Sequence, residues 1–271
     1  LNIAYNNLEE YLADLKKALT TDHPRYKTLG TKVGDEYIQL NTAIIQIENE
    51  YYSSIRPKRL VGSGERPINA LRDNGIEYVE IRALDNNIYD PFGISDETAI
   101  FLESFLFYCL LSEDQPCDAD EIKKIQNNWG NVVLFGRDED LKLQFKEGSI
   151  PLRDKAAEIL DEMTNFESRI GDQEYRNIFK KSLETQRHKI SDSNMTPSGK
   201  LLREITASGL SWDEYTDQIA KNHKEEILRL KKDVGYLEKQ AKKSLEEFAL
   251  KEAQEEDDFD SFLGEYLSAI E

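Results

Sequence analysis

Cysteine and histidine are scarce in this 271-residue chain, with two of the first (Cys109 and Cys117) and three of the second. There is no C-x-x-C pair and no Cys/His cluster, so a structural zinc site is not expected. Cys109 lies inside an apolar run and is expected to be a buried thiol outside any disulfide. Positive charge is also short: 35 Lys and Arg stand against 53 Asp and Glu, a net charge of −18. Phosphate neutralisation needs a basic face, which argues against nucleic acid as a partner and against an anionic membrane surface. No apolar run approaches the roughly 20 residues that span a bilayer, and no signal-peptide pattern is visible. Few cysteines and strong acidity fit a cytoplasmic protein. The chain opens on Leu1, and residues 1–30 read as the middle of something longer.

A hydrophobic fraction of 39% with 11 Phe and 13 Tyr supports a real core. Leu8, Leu12, Leu15 and Leu19 recur at helical spacing, which predicts an amphipathic helix over 5–20, ended by the turn before Pro24. Residues 37–50 are rich in β-branched types without Gly or Pro and predict a strand, with Gln46, Glu48 and Glu50 on one face. A basic loop follows at 51–59, then a second loop to Pro67 and a short helix over 68–72. From Ser95 the character changes. Residues 100–111 predict a helix apolar on most sides and hence buried. Residues 119–128 predict another helix, and 129–137 a short strand or loop. After Pro151 helices are expected over 153–168, 173–190, 198–207, 212–250 and 258–270. The long one carries an apolar seam from Ile227 to Phe248. Glu255-Glu256-Asp257-Asp258 reads as a solvated break. The organisation is α+β: a sheet-bearing part over 1–94 and a mainly helical part over 95–271.

The stretch that points to chemistry is Ile76-Glu77-Tyr78-Val79-Glu80-Ile81-Arg82-Ala83-Leu84-Asp85, set between the turn signals Asp73-Asn74-Gly75 and Asn86-Asn87. As a strand it sends Val79, Ile81 and Ala83 to a core face and Tyr78, Glu80 and Arg82 to the other. A carboxylate and a guanidinium side by side can hold a metal ion and a phosphate. They can equally form a structural ion pair. Arg56, Lys58 and Arg59 gather cations in the loop before it, as an anion site or as a solvated turn. The Gln46/Glu48/Glu50 face supplies carboxylates nearby or is merely solvent-facing. An anionic ligand bridged by hard-oxygen-bound Mg²⁺ or Mn²⁺ suits the set.

This strand, together with Gln46-Ile47-Glu48-Asn49-Glu50-Tyr51-Tyr52-Ser53-Ser54-Ile55-Arg56-Pro57-Lys58-Arg59, resembles the proteobacterial-type glutamate–cysteine ligases. Ser63-Gly64-Glu65, Pro91-Phe92-Gly93, Asn128-Trp129, Asn131-Val132 and Gly136-Arg137 fit the same family. The resemblance is strongest over 1–140, stays collinear to the end, and covers the C-terminal half of such an enzyme. A shorter likeness, through Lys58-Arg59-Leu60 and Glu80-Ile81-Arg82, extends to the glutamine synthetase superfamily. The resemblance implies a glutamine synthetase-like antiparallel sheet portion followed by a helical region. It also implies a reaction. ATP phosphorylates the γ-carboxylate of glutamate, and the cysteine amine attacks the acyl phosphate. The products are γ-glutamylcysteine, ADP and phosphate, and this is the first step of glutathione synthesis. By the same resemblance Glu80 is a Mg²⁺ ligand and Arg82 contacts the transferred phosphoryl group. Tyr52 helps form the cysteine pocket, against the alternative of a packed surface tyrosine. Arg56, Lys58 and Arg59 are weaker candidates for phosphate or substrate-carboxylate binding.

The family's remaining metal-binding carboxylates and its metal-site histidine lie in the N-terminal half, which is the expected partner of this chain. His23, His188 and His223 sit in polar contexts that do not fit that role. Two other readings stand beside this one: a ligase joining glutamate to a different amine, and a non-catalytic helical interaction protein built on the 227–248 seam.

Overall fold

The computed structural model describes residues 1–62, 64–230, 234–253 and 258–270. The chain forms two compact units, Leu1–Leu84 with Asp233–Glu271, and Asp85–Lys232. Composition changes at Ser95, whereas the units divide at Leu84/Asp85.

The first unit opens with helix α1 (Leu8–Thr20), where the Asn7 side chain caps the helix by accepting from the Glu10 N–H at 2.8 Å. Two acids in its first turn complement the helix dipole. Its leucine stripe does what the spacing predicts: Tyr11, Leu15, Ala18 and Leu19 are buried. Helix α2 (Pro24–Leu29) and a two-stranded ribbon, β1 (Lys32–Val33) with β2 (Glu36–Tyr37), follow; Gly34 turns the ribbon at φ +64°. Strand β3 (Ile55–Lys58), helix α3 (Pro67–Asn74) and strand β4 (Tyr78–Ile81) complete this part. Ile68 and Leu71 of α3 join Ile3, Ile45, Tyr51 and the α1 stripe in one core.

The second unit holds α4 (Asp96–Leu111), α5 (Ala119–Phe135), a ribbon of β5 (Lys142–Gln144) and β6 (Ser149–Pro151), α6 (Leu152–Thr164), α7 (Gln173–Ser191), α8 (Pro197–Ser208) and α9 (Trp212–Arg229). Its core is Leu160 and Met163 of α6 against Phe179 and Leu183 of α7, with Phe101, Phe105 and Tyr108 of α4 laid over them. Helices α10 (Gly235–Glu252) and α11 (Phe259–Ser268) return to the first unit, where Ile270 packs on its core. The result is an α+β protein with small antiparallel sheets.

Several sequence expectations are corrected. Residues 37–50 do not form a strand beyond Tyr37. Their backbone is occupied by side chains instead: the Leu40 N–H donates to Gln46 at 2.6 Å, Ala43 to Asn41 at 2.8 Å and Gln46 to Glu50 at 2.6 Å. Such local bonds replace a ladder. Glu48–Glu50 is a 3-10 turn, and the supposed carboxylate face does not exist, because Glu48 points inward and is buried.

The basic loop at 51–59 is in part strand β3. Pro57 is tolerated in the strand because, among the described residues, β3 pairs on one side only. Residues 129–135 continue α5 rather than forming a strand.

Helix α4 is not buried on most sides. One face meets α6 and α7; the other is open, with Leu110 75% exposed and the Cys109 thiol exposed as well. Neither cysteine is in a disulfide. The helix expected over 212–250 is two helices, because the backbone turns extended at Leu230, and the seam residues Leu237, Leu245 and Phe248 are exposed. Residues 255–257 of the acidic run lie outside the described residues, while Asp258 caps α11 by accepting from the Ser261 N–H. No helix among the described residues is long and apolar enough to cross a membrane.

Candidate active site

The β3–β4 hairpin fixes the geometry. Its antiparallel register pairs Ile55 with Ile81, Arg56 with Glu80, Pro57 with Val79 and Lys58 with Tyr78. Opposed residues share a face. Arg56, Lys58, Tyr78 and Glu80 therefore fall on one side, and Ile55, Pro57, Val79 and Ile81 on the other. The alternation expected for 78–82 holds, but the ladder is short, and Arg82 follows it with its N–H donating to Ser54 O at 2.7 Å. The apolar face is only partly covered: Val79 remains 43% exposed beside Tyr5, Leu8 and Tyr11.

On the polar face four sequence-nominated residues come together. Glu80 Oε2 lies 3.2 Å from Arg82 Nε and 3.5 Å from Lys58 Nζ. The Arg82 guanidinium stands over the Tyr52 ring, 4.8 Å from its centroid. Tyr52 itself is 76% exposed, so it is not a packed surface tyrosine. Glu80 Oε2 is shielded from solvent and held between these two cations. Desolvation acts to raise the Glu80 carboxyl pKa, but the charges of Lys58 and Arg82 outweigh it and hold the group below the usual carboxylate range. It stays ionised at neutral pH. An ion pair does exist here, as the plainer reading required. Its side chains are about one-third exposed, and such pairs contribute only ~0–1 kcal/mol. A ligand that exchanges these contacts meets little resistance.

Two nominated residues go elsewhere. Arg59 Nη1 donates to Asn74 O at 2.8 Å and Gly75 O at 3.1 Å, which ties up the C-terminal carbonyls of α3. Arg56 shares the face of Glu80 by register, but its side chain is buried. Its Nη2 donates to Glu48 O at 3.0 Å, and it also meets the Tyr11 hydroxyl. The Tyr11 phenol is pushed up to about 12, chiefly by burial and by Tyr5, with Arg56 opposing.

Among the described residues no group of three or more His, Cys, Asp or Glu side chains could hold a metal ion. Glu80 offers one carboxylate. Mg²⁺ commonly takes one or two protein carboxylates and completes its shell with waters and substrate phosphates. Glu80 fits that mode as a single ligand, with Oε2 exchanging its ion-pair contacts for the metal.

Residues 1–132, which include the whole cluster, match the family model for glutamate-cysteine ligase. Curated glutamate–cysteine ligases align along the whole chain, from Pseudomonas fluorescens at 36% identity and from Pseudomonas entomophila at 38%. The crystal structure of glutamate–cysteine ligase from Francisella tularensis in complex with AMP matches with a TM-score of 0.88 at 33% identity, over 98% of this chain and 53% of that one.

The chain is similar along its whole length to part of a glutamate–cysteine ligase, and its first 132 residues match that family. It spans about half the length of the curated glutamate–cysteine ligases it matches, 51% and 52% for the two Pseudomonas proteins.

Sequence reasoning missed one pair. Arg66 and Glu48 form a fully buried double contact, Nε to Oε1 at 3.0 Å and Nη2 to Oε2 at 2.8 Å. Arg66 also donates to Tyr266 O at 3.0 Å and stacks on the Tyr266 ring. Nothing local marks Arg66, because its partners are far away in sequence. Its place before Pro67, the first residue of α3, is the sole hint.

Proposed function

We propose that this chain supplies one wall of the active site of an ATP-dependent ligase joining the γ-carboxyl of L-glutamate to L-cysteine. γ-Glutamyl phosphate is the intermediate. The observation that carries the reading is the Lys58–Glu80–Arg82 cluster, with a solvent-shielded Glu80 Oε2 between two cations, inside the segment that matches the family. The Francisella tularensis relative in complex with AMP supports an adenine nucleotide as ligand. Glu80 Oε2 would hold Mg²⁺ or Mn²⁺. When bound, the ion supplies charge neutralisation between carboxylate and phosphate oxygens.

Arg82 would meet charge on the phosphoryl group in transfer; the contacts of its guanidinium with the Tyr52 ring and Glu80 support this reading. Lys58 adds a second fixed cation. The Tyr52 hydroxyl, on an exposed ring, is free to hydrogen-bond a substrate carboxylate. Arg56 and Arg59, committed to backbone carbonyls, shape the hairpin rather than contact substrate. The other wall would come from the N-terminal half found in family-length relatives. Two cysteines outside any disulfide fit a cytoplasmic setting.

The test is Glu80→Gln in the family-length protein, assayed by ADP release with glutamate and cysteine across a Mg²⁺ titration. Turnover should fall by about 100-fold or more at ordinary Mg²⁺, with partial recovery at high Mg²⁺. Near-normal turnover at ordinary Mg²⁺ would remove Glu80 from the site. Cysteine should outperform other amines in the same assay; equal rates would point to a different amine substrate.

A further inference from the structure

The helical unit contains a cavity of about 330 Å³ between α4, α6 and α7, away from the β3–β4 hairpin in sequence and lined wholly from the second unit. Its walls are apolar, with Phe101 and Phe105 from α4, Ile159 from α6 and Ile190 from α7. Two cations also line it, Arg153 and Lys189. In a chain with 53 acidic residues, no Asp or Glu lines it.

The two cations differ. Arg153 is answered by Glu139 at 2.9 Å. Lys189 is half-buried, and among the described residues its ammonium donates only to the Gln186 side-chain oxygen, at 3.3 Å. Glu97 is the carboxylate that acts on it, from a distance, and Glu97 is itself paired with Lys181 and accepts from Thr185 at 3.2 Å. Desolvation pulls the Lys189 ammonium below the ordinary lysine value, with Glu97 opposing. A half-buried ammonium without a close counter-ion is costly, and a bound anion would relieve that cost. An apolar cavity with a few convergent polar groups is also the common form of a small-molecule site.

We propose that this cavity is a second ligand site, separate from the ligase centre, that takes a small amphipathic monocarboxylate. Its apolar body would lie between α4, α6 and α7, and its carboxylate would sit on Lys189. At about 30 Å³ per water-sized atom the cavity holds roughly ten heavy atoms, the size of an eight-carbon acid.

The probe is octanoate, with 1-octanol as its uncharged counterpart, titrated calorimetrically into the 271-residue chain. Octanoate should bind saturably at one site, about tenfold or more tighter than 1-octanol. Lys189→Met, which keeps length and apolar bulk, should remove that tenfold advantage and leave 1-octanol binding unchanged. Ala156→Phe, which fills the cavity, should abolish binding of both, with an unchanged far-ultraviolet circular dichroism spectrum as the folding control. ATP with Mg²⁺ should not displace octanoate. Four results would each overturn the proposal: no saturable octanoate binding, equal binding of octanoate and octanol, indifference to Lys189→Met, or displacement by ATP.

Discussion

At the scale of single residues, the cluster on the hairpin separates two jobs that one side chain can perform. Tyr52 offers a hydroxyl to solvent and a ring face to Arg82. Tyr52→Phe removes only the hydroxyl, so KM for cysteine should rise while the ATP parameters stay put. Tyr52→Ala also removes the ring, so kcat should fall as Arg82 loses its support. Steady-state kinetics of both variants in the family-length protein check this, and an effect of Tyr52→Phe confined to ATP would reassign the residue. The buried Arg66–Glu48 pair obeys a different rule. Removing one partner of a buried pair leaves an uncompensated charge and costs about 3–5 kcal/mol. Glu48→Gln should lower stability by that order in urea unfolding, and the double variant Glu48→Leu with Arg66→Met should recover much of the loss. A loss below about 1 kcal/mol for the single variant, the value of an exposed pair, would show that the buried charge is otherwise compensated. Glu80 and Arg82 were legible from the sequence because strand alternation is local. Glu48 was misassigned because its neighbours suggested a strand, whereas its partner Arg66 is reached only through the fold.

At the scale of elements, helices were legible wherever a capping residue and a single apolar stripe coincide. Helix α1 has both; α5 has the reciprocal capping box of Asp118 and Glu121 but buries no stripe, and only its first part, to 128, was legible. Helix α4 was misread because its apolar residues run all round, and sequence cannot say which side finds a partner. Its contact with α7 carries an ionic tie: the Lys181 ammonium pairs with Glu97 and holds that carboxyl below the usual range, against desolvation, with further help from Thr185 and Lys189. A depressed folded pKa means that the stabilisation is present above the ordinary carboxylate value and is lost as pH falls through the lower folded value. Glu97→Gln should therefore lower Tm at pH 7, by about 1–2 °C for so exposed a pair. The gap to the parent should close as the pH is taken below the carboxylate range. Thermal melts across pH read this directly, and a gap that persists in acid would assign the loss to packing instead.

At the scale of the whole molecule, two cores do the stabilising. One joins α1 to α3, and the other joins α6 and α7 under α4. Leu15→Ala should speed amide hydrogen exchange across α1 and α3 and spare α6 and α7; Phe179→Ala should do the reverse. Exchange that spreads equally through both units from either variant would show a single cooperative core. The α+β class, the positions of most helices, and the pairing of Glu80 with Arg82 were legible in one dimension, since periodicity, capping and strand alternation are carried by neighbouring residues; Tyr52 was nominated by the family resemblance alone. The sequence by itself also carried that resemblance, because its motifs are short contiguous runs. Tertiary structure alone decided that β3 pairs with β4, that Arg56 and Arg59 serve backbone carbonyls, that Glu48 is buried against Arg66, and that α4 leaves one side open. Each of these depends on which distant segment comes to lie alongside. Hydrogen bonds and charges are satisfied by whatever partner the fold supplies, and one-dimensional order does not state that partner.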